Sequence, residues 1–140
     1  MYEKDAIYYI TRVYYKINRY LIKKLASRDI KGFVPSHGEI IGMLFLKEKL
    51  QMKELAEMID KDKSTVTALV KKLVRFGYVK KIRDKDDNRI NYISLAKKGE
   101  ALMPHLNEIT NELYEMALSG VNDREKDKLN KMLVKIFNNF

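Results

Sequence analysis

The chain has 140 residues and is 46% hydrophobic, which fits one domain, with or without helical arms, and excludes global disorder. It has no cysteine, so disulfides, thiol redox sensing and thiolate metal sites are excluded. The net charge of +9 is unevenly spread: residues 61–100 hold 12 basic and 5 acidic groups, whereas residues 101–140 hold 5 basic and 6 acidic. Phosphate-binding surfaces cluster charge in this way, because each lysine or arginine placed on a phosphate releases a condensed counterion. The plainer alternative, a soluble basic protein with solvated charge, does not account for the clustering. The N-terminal stretch Met1-Tyr2-Glu3-Lys4-Asp5 has no apolar signal core. The longest apolar run, Ile40 to Leu46, falls far short of the ~20 residues that span a membrane. A cytoplasmic protein with no membrane contact is the expectation.

A first helix is expected over residues 5–27. Ile7, Ile10, Tyr14, Ile17 and Leu21 step by three and four along one stripe, while Tyr9, Val13 and Tyr20 widen the apolar surface. Six of the nine tyrosines lie at or before position 20. A terminal helix apolar on more than one face needs two partners, its own domain and a second subunit. Tyrosine hydroxyls lining a ligand pocket are the alternative use of this surface.

Gly32 and Pro35 mark a break. Ser36 is then placed to cap a second helix, with Glu39 completing a capping box and Ile40, Ile41, Leu44 and Phe45 forming the buried face. His37, in the first turn, has no metal-spaced partner and is expected at or near the surface. A short helix from Met52 to Asp60 buries Met52, Leu55, Ala56 and Ile59. Asp60-Lys61-Asp62 makes a turn, and Asp62 can cap the next helix through the N–H of Ser64 or Thr65.

That helix runs to Phe76 and stops at Gly77. At ~100° per residue, Val66, Leu69, Val70 and Leu73 share one side. The opposite side presents Ser64, Thr67, Ala68, Lys71, Lys72 and Arg75, and no acidic residue follows Asp62 until Asp84. Small groups at one end let a helix lie deep in a DNA major groove, about 12 Å wide, while the cations beyond reach flanking phosphates. The competing reading is an amphipathic surface helix, but exposed helices ordinarily mix both charge signs.

Tyr78 to Arg83 and Ile90 to Leu95 read as a hairpin around the polar tip Asp84 to Asn88, with Lys80, Lys81, Arg83, Lys85 and Arg89 on or near it. Asp86 and Asp87 fit an anion binder if an aspartate orients an arginine or accepts N–H groups at the tip. From Lys97 a long helix carries Leu102, Leu106, Ile109, Leu113 and Met116 as a packing seam, with Pro104 and His105 inside it, and ends at Gly120. Asn122 or Asp123 starts a last helix with Leu129, Met132, Leu133, Ile136 and Phe137 apolar, expected to pack on the first helix of the same or a second subunit. There is no Gly-x-Gly-x-x-Gly, phosphate loop or His-Glu-x-x-His, so no enzyme, cofactor or metal site is expected.

Five pieces together resemble the MarR family of bacterial and archaeal transcriptional regulators. They are Lys53-Glu54-Leu55-Ala56; Asp62-Lys63-Ser64-Thr65-Val66-Thr67; Leu73-Val74-Arg75-Phe76-Gly77-Tyr78-Val79; Asp87-Asn88-Arg89; and Ser94-Leu95-Ala96-Lys97-Lys98-Gly99. The resemblance implies a fold that is mainly α with a small β-hairpin wing. A winged helix-turn-helix DNA-binding domain would occupy residues 36–96, and helical dimerisation regions residues 1–35 and 97–140. It implies a recognition helix reading double-stranded DNA through Ser64, Thr65, Thr67 and Lys71, with Lys63, Lys72 and Arg75 nearby. In the wing it implies Arg89 in the minor groove with Asp87 as its companion, and the cationic hairpin itself places Arg83 and Lys85 beside the DNA as an expectation. It further implies a homodimeric regulator, of repressor type, on a palindromic operator, with a small aromatic or anionic effector as releasing ligand. The alternative is a basic helical interaction module that binds RNA or an acidic protein.

The sequence departs from the family pattern at four places. Ala96 stands where a capping threonine is common, so the long helix is expected to be capped by Ser94 or to start loosely. Gln51 replaces a threonine or serine cap, and Lys85 a proline. Lys81 replaces an arginine, and because lysine lacks the planar fork it is assigned no base contact.

Overall fold

Asp5 accepts the Tyr8 N–H at 3.0 Å and so starts α1 (Ala6–Ser27). The computed structural model describes residues 3–140; Met1 and Tyr2, at the head of the expected N-terminal helical region, lie outside the described residues. The chain continues through α2 (Pro35–Lys47), β1 (Lys49–Gln51), α3 (Met52–Met58), α4 (Lys63–Arg75), β2 (Val79–Arg83), β3 (Asn91–Leu95), α5 (Lys97–Ala117) and α6 (Asp123–Phe137).

The start of α2 differs from the sequence expectation. Pro35 takes the first helical position, which moves the cap to Val34, a residue with no side-chain acceptor. His37 Nδ1 supplies the acceptor, taking the Val34 N–H at 2.9 Å, so the Ser36–Glu39 capping box is not formed. His37 is also buried rather than near the surface, at 2% exposure against the Phe33 ring, and its Nε2 has no partner. Ile40, Ile41 and Leu44 form the buried face as expected. Phe45 does not: it is 54% exposed, beyond the end of the core in an open groove with Ile82 and Glu48.

The sheet has three antiparallel strands, not two, in the order β1-β3-β2. The hairpin register runs from Val79↔Leu95 to Arg83↔Asn91, and β1 adds Lys49↔Ser94 to Gln51↔Tyr92 on the other side of β3. Strand alternation puts Leu50, Val79, Ile93 and Leu95 on the core face. There they meet α2 and the inner side of α4, where Val66, Val70 and Leu73 have no exposure.

The first turn of α5 has no capping side chain, and Ser94 is buried within β3 with its Oγ unpartnered. The turn is held in another way. The Ala96 N–H donates to the Tyr78 carbonyl at 3.0 Å, and a Cβ on the buried Gly99 would overlap that same oxygen. Further along, Arg28, the residue that caps the end of α1, reaches Glu108 (2.6 Å) and Glu112 (3.7 Å) of α5, and Lys24 of α1 reaches Glu112 (3.0 Å). The Arg28 guanidinium holds the Glu108 carboxyl below the usual carboxylate range. Each pair keeps at least one partner 40% or more exposed, so these contacts position the helices more than they stabilise them.

The outer helices remain largely uncovered. Ile7 and Tyr14 of α1 are 60% exposed, Phe137 of α6 is 70% exposed, and α6 has no buried residue. Ile10 of α1 and Leu133, Ile136, Phe137 and Phe140 line one open cleft of about 530 Å³.

The buried His37 gives the first prediction. Burial, and secondarily the Lys72 charge, lowers its pKa from 6.5 to about 4. Between those values the unfolded chain binds a proton that the folded chain does not. The resulting stability is complete above pH 6.5 and is lost as pH falls towards 4, by up to ~3 kcal/mol. Urea midpoints measured from pH 7 to 4 should fall accordingly. His37→Asn keeps an acceptor for the Val34 N–H and should flatten that segment; an unaltered slope would assign it to another group.

Candidate nucleic-acid interface

The turn between α3 and α4 places an acidic cap at the start of the outward helix. Asp60 adopts φ of 56°, and Asp62 then accepts the Thr65 N–H at 2.7 Å. The same carboxylate accepts the Ser64 hydroxyl at 2.6 Å and the Thr65 hydroxyl at 2.9 Å. The Ser64 hydroxyl first, then the Thr65 N–H and hydroxyl, lower the Asp62 pKa to about 2. The Thr67 hydroxyl donates to the Lys63 carbonyl at 2.7 Å. All three hydroxyl protons at this end of α4 are therefore directed into the protein, and the oxygens offer lone pairs outward.

Lys63, Ser64, Thr65, Thr67, Ala68, Lys71 and Arg75 are exposed along α4. Lys72 is set back. It is half-buried, with Nζ 5.6 Å from the Phe76 ring centroid, and it lies beside Gly32. Arg75 also lies over the Phe76 ring, at 5.6 Å. The helix ends where Gly77 adopts φ of 82° and the Tyr78 N–H returns to the Leu73 carbonyl.

The wing closes through the Asp84 N–H to the Ile90 carbonyl (2.9 Å) and the Ile90 N–H to the Asp87 carbonyl (3.0 Å). Arg83, Lys85 and Arg89 are exposed. Asp87 holds Arg89 through a fork: Nε to Oδ1 and Nη2 to Oδ2, both at 3.1 Å, with the Arg89 N–H also donating to Oδ1. The Arg89 side chain, and next its N–H, keep the Asp87 carboxyl ionised below its usual range. The arginine stays 90% exposed, so one edge of its guanidinium is held and the other is free. Lys80 and Lys81 are exposed on β2.

Two features of this region were not anticipated from the sequence. Lys49 of β1 places its Nζ 4.4 Å from the Tyr92 ring centroid, adding a cation beside the wing. Lys98 of α5 donates to the Phe76 carbonyl at 2.8 Å. Only the apolar Leu50 between two polar neighbours signals β1, and nothing local signals a contact between residues 22 positions apart. Among the described residues no cluster of His, Cys, Asp and Glu has the spacing to hold a metal, and no helix is long and apolar enough to cross a membrane.

The MarR family profile matches residues 38–91, the stretch from α2 through the wing tip. The HTH-type transcriptional regulator SarZ of Staphylococcus haemolyticus is 36% identical over 95 residues, 67% of this chain and 63% of that protein. The uncharacterised HTH-type transcriptional regulator YybA of Bacillus subtilis is 31% identical over 120 residues, 84% of this chain and 80% of that one. The chain belongs to the MarR family. It is a MarR-type transcriptional regulator, not an enzyme. Its winged-helix fold is that of the Staphylococcus aureus MepR–DNA complex, with a TM-score of 0.89 at 20% identity over 99% of this chain and 100% of that one. At that identity the likeness concerns the fold.

The α4 cap gives the second prediction. Asp62→Ala should lower the melting temperature by a few degrees, and Asp62→Asn, which retains an acceptor, by less. Because the folded pKa is depressed, the Asp62 contribution is complete above pH ~4 and is lost as pH falls towards 2. Equal melting of all three proteins at pH 7 would show that the cap contributes nothing.

Proposed function

We propose that this MarR-family chain binds duplex DNA as a homodimer, lays one α4 in each of two successive major grooves of a palindromic operator, and represses transcription there. The single observation that carries the reading is the outward face of α4: exposed, small and hydroxylic at one end, cationic at the other, and free of acids beyond its cap. Half-sites are then about one helical turn apart. The uncovered apolar sides of α1 and α6 supply the dimer surface, since exposed apolar area on this scale marks an interface. The S. aureus MepR–DNA complex supports the same docking by likeness of fold. Duplex RNA fits poorly, because its major groove is too narrow and deep for a helix.

In this arrangement Ser64 and Thr65 present acceptors to the groove and match the amino groups of adenine and cytosine. Lys63, Thr67, Lys71 and Arg75 line the same approach, Lys71 and Arg75 on phosphates, with Lys72 behind them. Arg83 and Lys85 lie along the backbone beside the wing. Arg89, pre-aligned by Asp87, enters the minor groove and responds to its negative potential.

A releasing effector is a finer part of the proposal. The cleft that suits it, about 230 Å³, lies between α1, α2 and α5 and is lined by Leu21, Leu25, Leu106 and Ile109, with Glu39 and Thr110 as its polar groups. No tyrosine lines it, and the Glu39 carboxylate favours a neutral or cationic aromatic over the anion considered from the sequence.

Selection of bound duplexes from a random pool tests the proposal. It should return a palindrome with adenine or cytosine opposite Ser64 and Thr65 and A·T-rich flanks. Arg89→Ala should weaken binding and relax the flank preference at fixed salt. An asymmetric product bound by a monomer would reject the dimer, and unchanged affinity of Arg89→Ala would reject the minor-groove contact.

Phosphate neutralisation has its own signature. Lys71→Gln should flatten the slope of log K against log salt by about one unit for each phosphate that the lysine no longer neutralises in a half-site. A parallel displacement of the line would place Lys71 off the phosphates.

A further inference from the structure

The last turn of α4 and the first turn of α5 meet at a joint only a few atoms wide. The Gly77 and Tyr78 N–H groups return to the Val74 and Leu73 carbonyls, so the carbonyls of Phe76 and Tyr78 are fixed to the end of α4. Lys98 donates from Nζ to the Phe76 carbonyl at 2.8 Å and lies 4.6 Å from the Tyr78 ring centroid, its stem running over Gly77. The Tyr78 carbonyl receives the Ala96 N–H, and Gly99 packs so closely on it that any Cβ would overlap. The two helices are also linked through α2, which packs against both, and through the β2–β3 hairpin, whose strands pack against α4 and α5. The angle between α4 and α5 is thus set at three places, the α2 core, the hairpin and this joint, and only the joint bonds the end of the one to the start of the other directly.

We infer that Lys98 and Gly99 are positioning residues for the recognition helix. They fix the angle at which α4 leaves the long helix and, in the dimer proposed above on which this inference rests, the separation of the two recognition helices. A helix of 13 residues is ~20 Å long, so a tilt of ~10° about the joint moves its far end by ~3 Å, close to the rise of one base pair. A lysine at a helix C-terminus also stabilises that helix through its dipole. A purely stabilising role would alter melting without altering which operator spacing is preferred.

The test uses the full chain and the selected operator, with duplexes carrying one base pair more or fewer between half-sites. Wild type should prefer the selected spacing by about tenfold or more, the scale of one misplaced base contact. Lys98→Met should stay folded and bind the selected spacing nearly as well, but its preference should shrink to within about threefold. Lys98→Arg, which retains a donor for the Phe76 carbonyl, should restore the preference. Gly99→Ala should move the preferred spacing, and if it does not fold, Lys98→Met alone decides. A folded Lys98→Met with wild-type spacing preference overturns the inference while leaving the dimer standing. A wild type indifferent to spacing overturns both.

Discussion

Val66, Val70 and Leu73 have no exposed surface, and that burial governs which way α4 faces. A helix with one apolar stripe against the sheet and α2 must turn its remaining side to solvent, so the inward packing itself places Ser64, Thr67, Lys71 and Arg75 outward. Each such buried side chain contributes about 1.5–3 kcal/mol relative to exposure. The exposed cations contribute little to folding and are free to vary with the ligand. Core packing sets the direction of the face, and surface chemistry sets what the face meets.

Two carboxylates refine that surface. Asp62 and Asp87 lie where anions would ordinarily weaken a phosphate-binding face, yet each is occupied by neighbouring donors. Asp62 collects the start of α4 and both adjacent hydroxyls, and Asp87 clamps the Arg89 fork. Each has its ionised form stabilised by those bonds, and each holds its neighbouring side chains in one orientation. In the proposed complex, Arg89 would otherwise have to be immobilised on binding, at a cost of roughly 0.5–1.5 kcal/mol for such a side chain.

Much of this was readable from residue spacing. The stripe of α4, its stop at Gly77, the Asp62 and Asn122 caps and the hairpin all follow local rules, and local rules survive folding when nothing distant overrides them. The Asp87–Arg89 pairing was readable because the residues are two apart. What escaped was set by neighbours remote in sequence or by a short element. β1 has three residues, too few to show alternation, and is a strand only because β3 pairs with it. His37 is buried because Phe33 covers it and Pro35 shifts the helix start. Ala96 left Ser94 or no residue as the cap of α5, and the true anchor, Gly99 on the Tyr78 carbonyl, joins residues 21 positions apart.

The central place of β3 has a mechanical consequence. It pairs on one side with its hairpin partner and on the other with β1, which runs without a loop into α3. A load applied at the wing tip therefore passes along hydrogen-bonded strands directly into the helix-turn-helix. The tip itself, beyond the last strand pair Arg83↔Asn91, bears none of that register. Insertions or deletions there would change the reach of the finger while leaving the hydrogen-bonded frame behind it intact.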